Sequence, residues 1–344
     1  MTAVLALAVG VSLAVAGCSS GGGGTNPAAS GGTGASGQLH EVNVGIVQLP
    51  IFAPLYIAQA KGYFTDAGLK VNLQNVKSGQ DAIPLAASGK LDAVAAGFSA
   101  GFFSAVQSGL DVKAVASMGV AGPADEKPAS ALIVSKKEYD SGAITSVAGL
   151  KGKKLGALGG GGATSAFYVS LALGQVGLTN KDVTFVNLSS PDIPTGIKTG
   201  GIDGAFVSAP FWEQAVADGV AVKLWQTPPG TSGTGVFYGG KFASSKYAQP
   251  FFDAMARGAQ DLQGDAKYSD ENLKIIGDAT DQTPEQVKSV PLYDWFPDLH
   301  PLPDQLAGME KVWMEFGALK YDTALDPSTY VDTTFAKNVK VPAS

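Results

Sequence analysis

The sequence predicts an α/β protein built from two lobes, on three observations. From Glu41 onward, short β-like runs alternate with helix-like segments, the pattern of βαβ units and parallel sheets. Two clusters of breakers, 122–128 and 227–235, interrupt that alternation. A chain of 344 residues is long enough for roughly two domains of about 150 residues, each with its own core.

In chain order, 42–47 reads as the first strand, and 54–65 as a helix closed by the glycine stop of Asp66-Ala67-Gly68. A strand at 71–76, a helix at 81–88, a strand at 93–96, a helix at 100–108 and a strand at 112–117 complete the first set. The second set holds strands at 131–135 and 154–157, a helix at 164–175 and a strand at 183–187. A helix at 193–198, a strand at 205–208, a helix at 211–218 and a strand at 220–225 follow. After the apolar run Val236-Phe237-Tyr238 the grammar changes to helices alone, over 247–264, 270–277, 285–290 and 303–319. In the last of these, Leu306, Met309, Val312, Trp313 and Phe316 mark one apolar face at helical spacing. With no strands between them, these helices are expected to pack back on an existing sheet. The expected division is 39–130 with 236–344 as lobe 1, and 131–235 as lobe 2.

The first forty residues differ in kind. The apolar run 4–16 is too short to cross about 30 Å of hydrocarbon but suits a signal-peptide core. It ends Val15-Ala16-Gly17-Cys18, which resembles the lipobox of bacterial lipoproteins. The expectation is a signal peptide over 1–17 and a lipid on the Cys18 thiolate, which anchors the chain to the outer face of the cell membrane. Residues 18–38, rich in Gly and Ser and free of charge, then read as a flexible tether with a mean span of roughly 25 Å.

Composition excludes several function classes. The formal charge is -6 and the 24 basic residues form no run or stripe, which argues against nucleic acid as a partner. One Cys and two widely separated His residues, His40 and His300, offer no Cys cluster and no local zinc motif. Neither a metal nor another cofactor is expected. The sole arginine, Arg257, lies on a predicted C-terminal helix, so no bidentate guanidinium clamp for an oxyanion is expected.

The strings Gly45-Ile46-Val47-Gln48-Leu49-Pro50, Pro54-Leu55-Tyr56-Ile57-Ala58, Lys61-Gly62-Tyr63-Phe64 and Gly68-Leu69-Lys70-Val71 resemble the opening of ABC-importer substrate-binding proteins. The branch is the NMT1-like one, which holds sulfonate, taurine, nitrate and thiamine-precursor binders. Ala86-Ala87-Ser88-Gly89-Lys90-Leu91-Asp92, Leu150-Lys151-Gly152-Lys153-Lys154-Leu155-Gly156 and Gly200-Gly201-Ile202-Asp203-Gly204-Ala205-Phe206 continue the pattern, in order, to about residue 240. The resemblance implies a type II periplasmic-binding-protein fold: two α/β lobes, two crossover strands (131–135 and 236–238) and a ligand cleft between the lobes. It also implies a monomeric binding protein that captures a small organic solute and delivers it to a membrane permease. The solute would be a taurine-like aliphatic sulfonate, or a neutral or weakly anionic ring compound such as a pyrimidine vitamin precursor. Two other readings share the fold: a surface sensor or receptor with a ligand-gated cleft, and an enzyme such as a pyrimidine synthase. Enzymes of that kind in this branch use a His and a Cys-rich motif, which this sequence lacks, so no catalytic residue is expected.

Open α/β sheets bind ligands beyond the carboxyl ends of their strands, so the loops after each strand carry the candidates. The run Gly159-Gly160-Gly161-Gly162-Ala163-Thr164-Ser165 would let a ligand approach bare N–H groups where a helix opens. Gly160, Gly161, Ala163 and Thr164 are candidates there, although a plain βα turn with a Thr cap explains the same residues. Gln48 and Phe52 follow the first strand, Ser78 the second, and Phe98 and Ser99 the third; Ser78 serves equally as a helix cap and Phe52 as core. Ser208, Phe211 and Trp212 follow the strand at 205–208, where two large rings could wall a site or bury themselves between helix and sheet. Trp225 and Trp295 are looser candidates.

Overall fold

The computed structural model describes residues 38–123 and 127–340. The expected signal peptide, Cys18 and almost all of the tether lie outside the described residues.

β1 (His40–Ile46) leads through a short 3-10 turn, Pro50–Phe52, into α1 (Ala53–Ala60) and α2 (Tyr63–Asp66), then β2 (Leu69–Asn75), α3 (Gly79–Ala87), β3 (Ala93–Gly97), α4 (Ala100–Gln107) and β4 (Val112–Val120). The single helix expected over 54–65 is two. Gly62 between them has φ of 77°, a left-handed conformation that glycine adopts without strain and that ends α1. The chain next forms β5 (Ser130–Ser135), α5 (Lys136–Asp140), β6 (Lys154–Ala157), α6 (Thr164–Gly174), β7 (Thr184–Asn187), α7 (Ile193–Lys198), β8 (Gly204–Ser208), α8 (Phe211–Ala217) and β9 (Ala221–Gln226). It closes with β10 (Ser232–Gly239), α9 (Gly240–Ala243), α10 (Ala248–Gln260), α11 (Asp270–Thr280), α12 (Pro284–Lys288), α13 (Pro303–Phe316) and α14 (Thr334–Lys337).

The strands form two five-stranded sheets, β2-β1-β3-β10-β4 and β7-β6-β8-β5-β9. In each, the first three strands run parallel and a strand that enters from the other half inserts antiparallel: β10 between β3 and β4, and β5 between β8 and β9. The strands expected to cross between lobes thus each lie within one sheet. The crossings are the segments just before them, described over 121–123 and 127–129 in the first and 227–231 in the second. They meet where the Ala121 amide donates to the Thr231 carbonyl (2.9 Å) and the Gly230 amide donates to the Ala121 carbonyl (3.0 Å).

Alternation dictates the burial. Val42, Val44 and Ile46 of β1 and Ala93 and Ala95 of β3 face α1 and α10, which supply Leu55, Ile57, Phe251, Phe252 and Met255 to one core. A second core is continuous between the lobes: Phe98, Phe102 and Phe103 of the first join Leu155, Phe167 and Phe206 of the second, with Leu306, Met309 and Trp313 of α13. Helix α13 packs on both α4 and α6. Its buried Glu310 accepts hydrogen bonds from the Tyr321 hydroxyl (2.8 Å) and the Leu325 amide (2.9 Å), which ties the following chain to the helix.

Candidate ligand cleft

The carboxyl ends of both sheets open on one cavity of about 550 Å³. From the first lobe come Phe52 after β1, Ser78 at the cap of α3, and Phe98 and Ser99 after β3. From the second come Gly159, Ala163 and Thr164 after β6, Asn187 at the end of β7, and Ser208 at the end of β8. The crossing contributes Ala129 and the start of β5 Ser130, and the stretch 290–293 closes one side.

The two lobes already touch at the cavity floor. The Thr164 hydroxyl donates to the carbonyls of Phe98 (2.7 Å) and Gly233 (3.2 Å), and Ser99 pairs with Ala163 in an isolated antiparallel bridge. This fit requires glycine on the first lobe. A Cβ on Gly97 would stand 2.5 Å from the Thr164 hydroxyl, and one on Gly233 would stand 2.2 Å from the Thr164 methyl and 2.5 Å from the Tyr168 hydroxyl.

Five aromatic residues stand in the lining: Phe52, Phe98, Tyr168, Phe206 and Tyr293. Tyr168 stacks on Phe206 with ring centres 4.6 Å apart. Burial pushes the Tyr168 phenol well above its ordinary value, and burial likewise raises that of Tyr293, whose hydroxyl is hydrogen-bonded to the Ser130 side chain. Both phenols therefore stay neutral at physiological pH. Lys77 and Asp81 carry the charge of the lining, and both are exposed. The Asp81 carboxylate accepts the Ser78 hydroxyl (2.8 Å), while Ser78 also caps α3.

Seven of the expected residues line this cavity: Phe52, Ser78, Phe98, Ser99, Ala163, Thr164 and Ser208. Thr164 does so with its hydroxyl spent between the lobes rather than as the plain helix cap. Five lie elsewhere. Gln48 is consumed in tying loops together: its amide donates to the Ala279 carbonyl (2.9 Å) and Asp281 (3.0 Å) and its oxygen accepts from Asn75 (2.8 Å). Gly160 and Gly161 form a 3-10 turn under α13, where a Cβ on Gly161 would meet the Phe316 ring at 2.3 Å. That glycine makes room for a ring of the protein itself. Phe211 and Trp212 pack between α8 and the sheet, Trp212 only 7% exposed with its indole N–H on the Pro128 carbonyl (3.2 Å). The looser candidates are also structural: the Trp295 indole donates to the Ile51 carbonyl and the Trp225 indole to Gln175.

Sequence reasoning missed Tyr168, Phe206, Asn187 and Val290-Pro291-Leu292-Tyr293. Asn187 ends a strand and was open to the same rule as the others. Tyr168 lies inside a helix, and 290–293 follows no strand, so that rule passes over both.

Comparison with known proteins agrees with this architecture. The protein shares the periplasmic-binding-protein fold with solved structures. One is the alkanesulfonate-binding protein SsuA of Xanthomonas axonopodis pv. citri (TM-score 0.63, 17% identity, 86% of this chain and 100% of that one). Another is the Candida albicans CA3427 product (TM-score 0.64, 17% identity, 89% and 99%). Among curated sequences, a Haemophilus influenzae protein named for thiamine biosynthesis is 32% identical over 165 residues, 46% of each chain. The 4-amino-5-hydroxymethyl-2-methylpyrimidine phosphate synthase of Aspergillus parasiticus is 31% identical over 156 residues, 45% of this chain and 41% of that one. These matches span less than half the length of either curated relative. The profile described as NMT1/THI5 like matches residues 50–265, well over half of the chain, and the protein belongs to that family.

Proposed function

We propose that this protein is the extracytoplasmic solute-binding component of an ABC importer. In this reading its two lobes close on a small organic solute and present it to a membrane permease, with a lipid on Cys18 holding the monomeric chain at the outer face of the membrane. The observation that carries the reading is the cavity that the carboxyl ends of both sheets share, bordered by one of the two crossings that join the lobes. A solute that touches both lobes stabilises the closed arrangement, and a hinge at Ala121, Gly230 and Thr231 lets the lobes reach it. The alkanesulfonate-binding relative supports this role, and the thiamine-related names support a pyrimidine-like solute as one form of it.

The synthase among the curated relatives favours a second reading, an enzyme on the same fold. His40 stacks on Tyr247 with ring centres 3.6 Å apart, His300 pairs with Asp298 (2.7 Å), and neither lines the cavity. The test is small-angle X-ray scattering of the purified protein with and without the solute extracted from it. Capture predicts a smaller radius of gyration with solute and a higher Tm, since a ligand at a hundred times its Kd adds about 2.7 kcal/mol to the native state. An unchanged radius with no gain in Tm contradicts it.

A further inference from the structure

Helix α13 touches three parts of the fold that a movement of the lobes would separate. At its amino end Gln305 grips Ser232, the residue with which β10 leaves the second crossing. The Gln305 side-chain oxygen accepts the Ser232 amide (3.1 Å), and its NH₂ donates to the Ser232 carbonyl. In the middle of the helix Trp313 is fully buried against Phe103 of α4, with ring centres 5.7 Å apart. Glu310, also fully buried, holds Tyr321 and Leu325 of the chain that follows. That chain returns to the first sheet, where the Ala114 amide of β4 donates to the Tyr330 carbonyl (2.8 Å). These contacts fix α13 to the first lobe.

The carboxyl end of the helix reaches the second lobe. Phe316, half-buried, lies edge-on to Phe185 of β7 with ring centres 5.6 Å apart. Beneath it is Gly161, in the loop after β6, where a Cβ would stand 2.3 Å from Phe316 Cε1 and 2.6 Å from Cζ. Gly161 is not among the glycines with positive φ, so its missing side chain serves the ring and not the backbone. The same loop borders the cavity through Gly159, Ala163 and Thr164, whereas Gly161, Phe185 and Phe316 do not line it. The ring thus joins the lobes outside the cleft, next to the seam that Thr164 makes with Phe98. A contact made while that seam is shut, and made by the protein alone, favours the shut arrangement when the cleft is empty.

We propose that α13 is a strap between the lobes, fixed to the first by Gln305, Glu310 and Trp313 and seated on the second by Phe316 against Gly161, and that this seat sets how far the empty cleft stands open. The strap acts with no solute present, so its test needs none and stands apart from solute capture.

The test is small-angle X-ray scattering well below the unfolding temperature, together with thermal melting. It uses the dialysed full chain, Phe316→Ala, Gly161→Ala, and Gly161→Ala combined with Phe316→Leu. Because Phe316 is only half-buried, Phe316→Ala leaves Trp313 and Met309 in the core and is expected to lower Tm by about 2–4 °C. Its radius of gyration is expected to exceed that of wild type. Gly161→Ala evicts the ring and is expected to enlarge the radius in the same way. Leucine lacks Cε1 and Cζ, the atoms that the new Cβ would meet, so Phe316→Leu in the Gly161→Ala background is expected to bring the radius back toward wild type. Wild-type radii in Phe316→Ala and Gly161→Ala, with Tm lowered, make Phe316 ordinary packing and overturn the strap. An enlarged radius in Gly161→Ala that Phe316→Leu fails to reduce overturns the seating of the ring on Gly161. Should Gly161→Ala not fold, the radius of Phe316→Ala decides.

Discussion

The Thr164 hydroxyl of the second lobe donates to the Phe98 carbonyl of the first at 2.7 Å, and this bond sits at the floor of the cleft. It joins the helix α6 N-terminus to the end of β3, the two places where the sequence suggested ligand contacts. Thr164→Val keeps the shape and removes the donor. Its expected cost is about 1 kcal/mol, a fall in Tm of about 2 °C for a protein of this size, read by calorimetry.

Gly97→Ala probes the same seam from the other side. Its Cβ would stand 2.5 Å from the Thr164 hydroxyl, so the lobes must separate or strain. Destabilisation of about 1–3 kcal/mol is expected, as for other overpacked sites, with a larger radius of gyration in scattering. A wild-type Tm and radius would show that the lobes do not meet there.

Trp212→Ala separates a core ring from a ligand ring. Because Trp212 is buried against Ala131, Ile133 and Val207, its loss should lower stability by about 3–5 kcal/mol and leave solute affinity unchanged at temperatures where the variant is folded. Titration calorimetry at low temperature checks the second half.

Glu213 on α8 gives a pH signature. Burial raises its pKa, against a smaller lowering by Lys127. A carboxyl raised in the folded state contributes most below its ordinary pKa, and that contribution is lost as pH rises through the folded value. Glu213→Gln cannot ionise. Its Tm should match wild type near pH 4 and exceed it near pH 7, measured as melting across that range.

The alternation of strands and helices was legible because each strand's apolar face and each helix's stop are local. Val42, Val44 and Ile46 alternate, and Gly68 ends α2 at φ of 76°. The break at Gly62 carried the same kind of signal, yet the apolar spacing on either side read as one helix. The lobes' strand order was not local, since β5 and β10 each insert into a sheet built by distant chain. At the cleft, small polar residues after strands were readable from the strand-end rule. The rings were legible only as alternatives: Phe52 and Phe98 line the cavity as expected, but Phe98 and Trp212 look alike in sequence and differ in which wall the tertiary packing offers, the first bordering the cavity and the second the back of the sheet. The Gly160-Gly161 pair misled for a related reason, since glycine marks a close approach without saying by what, and here it is Phe316.

Capture without conversion is what separates a binding protein from an enzyme on this fold. The most direct measurement is mass spectrometry of the gently purified full chain, first under native conditions and then on the solute released by denaturation and re-added to fresh protein. Capture gives one solute per chain, recovered with its mass unchanged after prolonged incubation. A solute recovered with an altered mass, or bound in no fixed ratio to the chain, would contradict it.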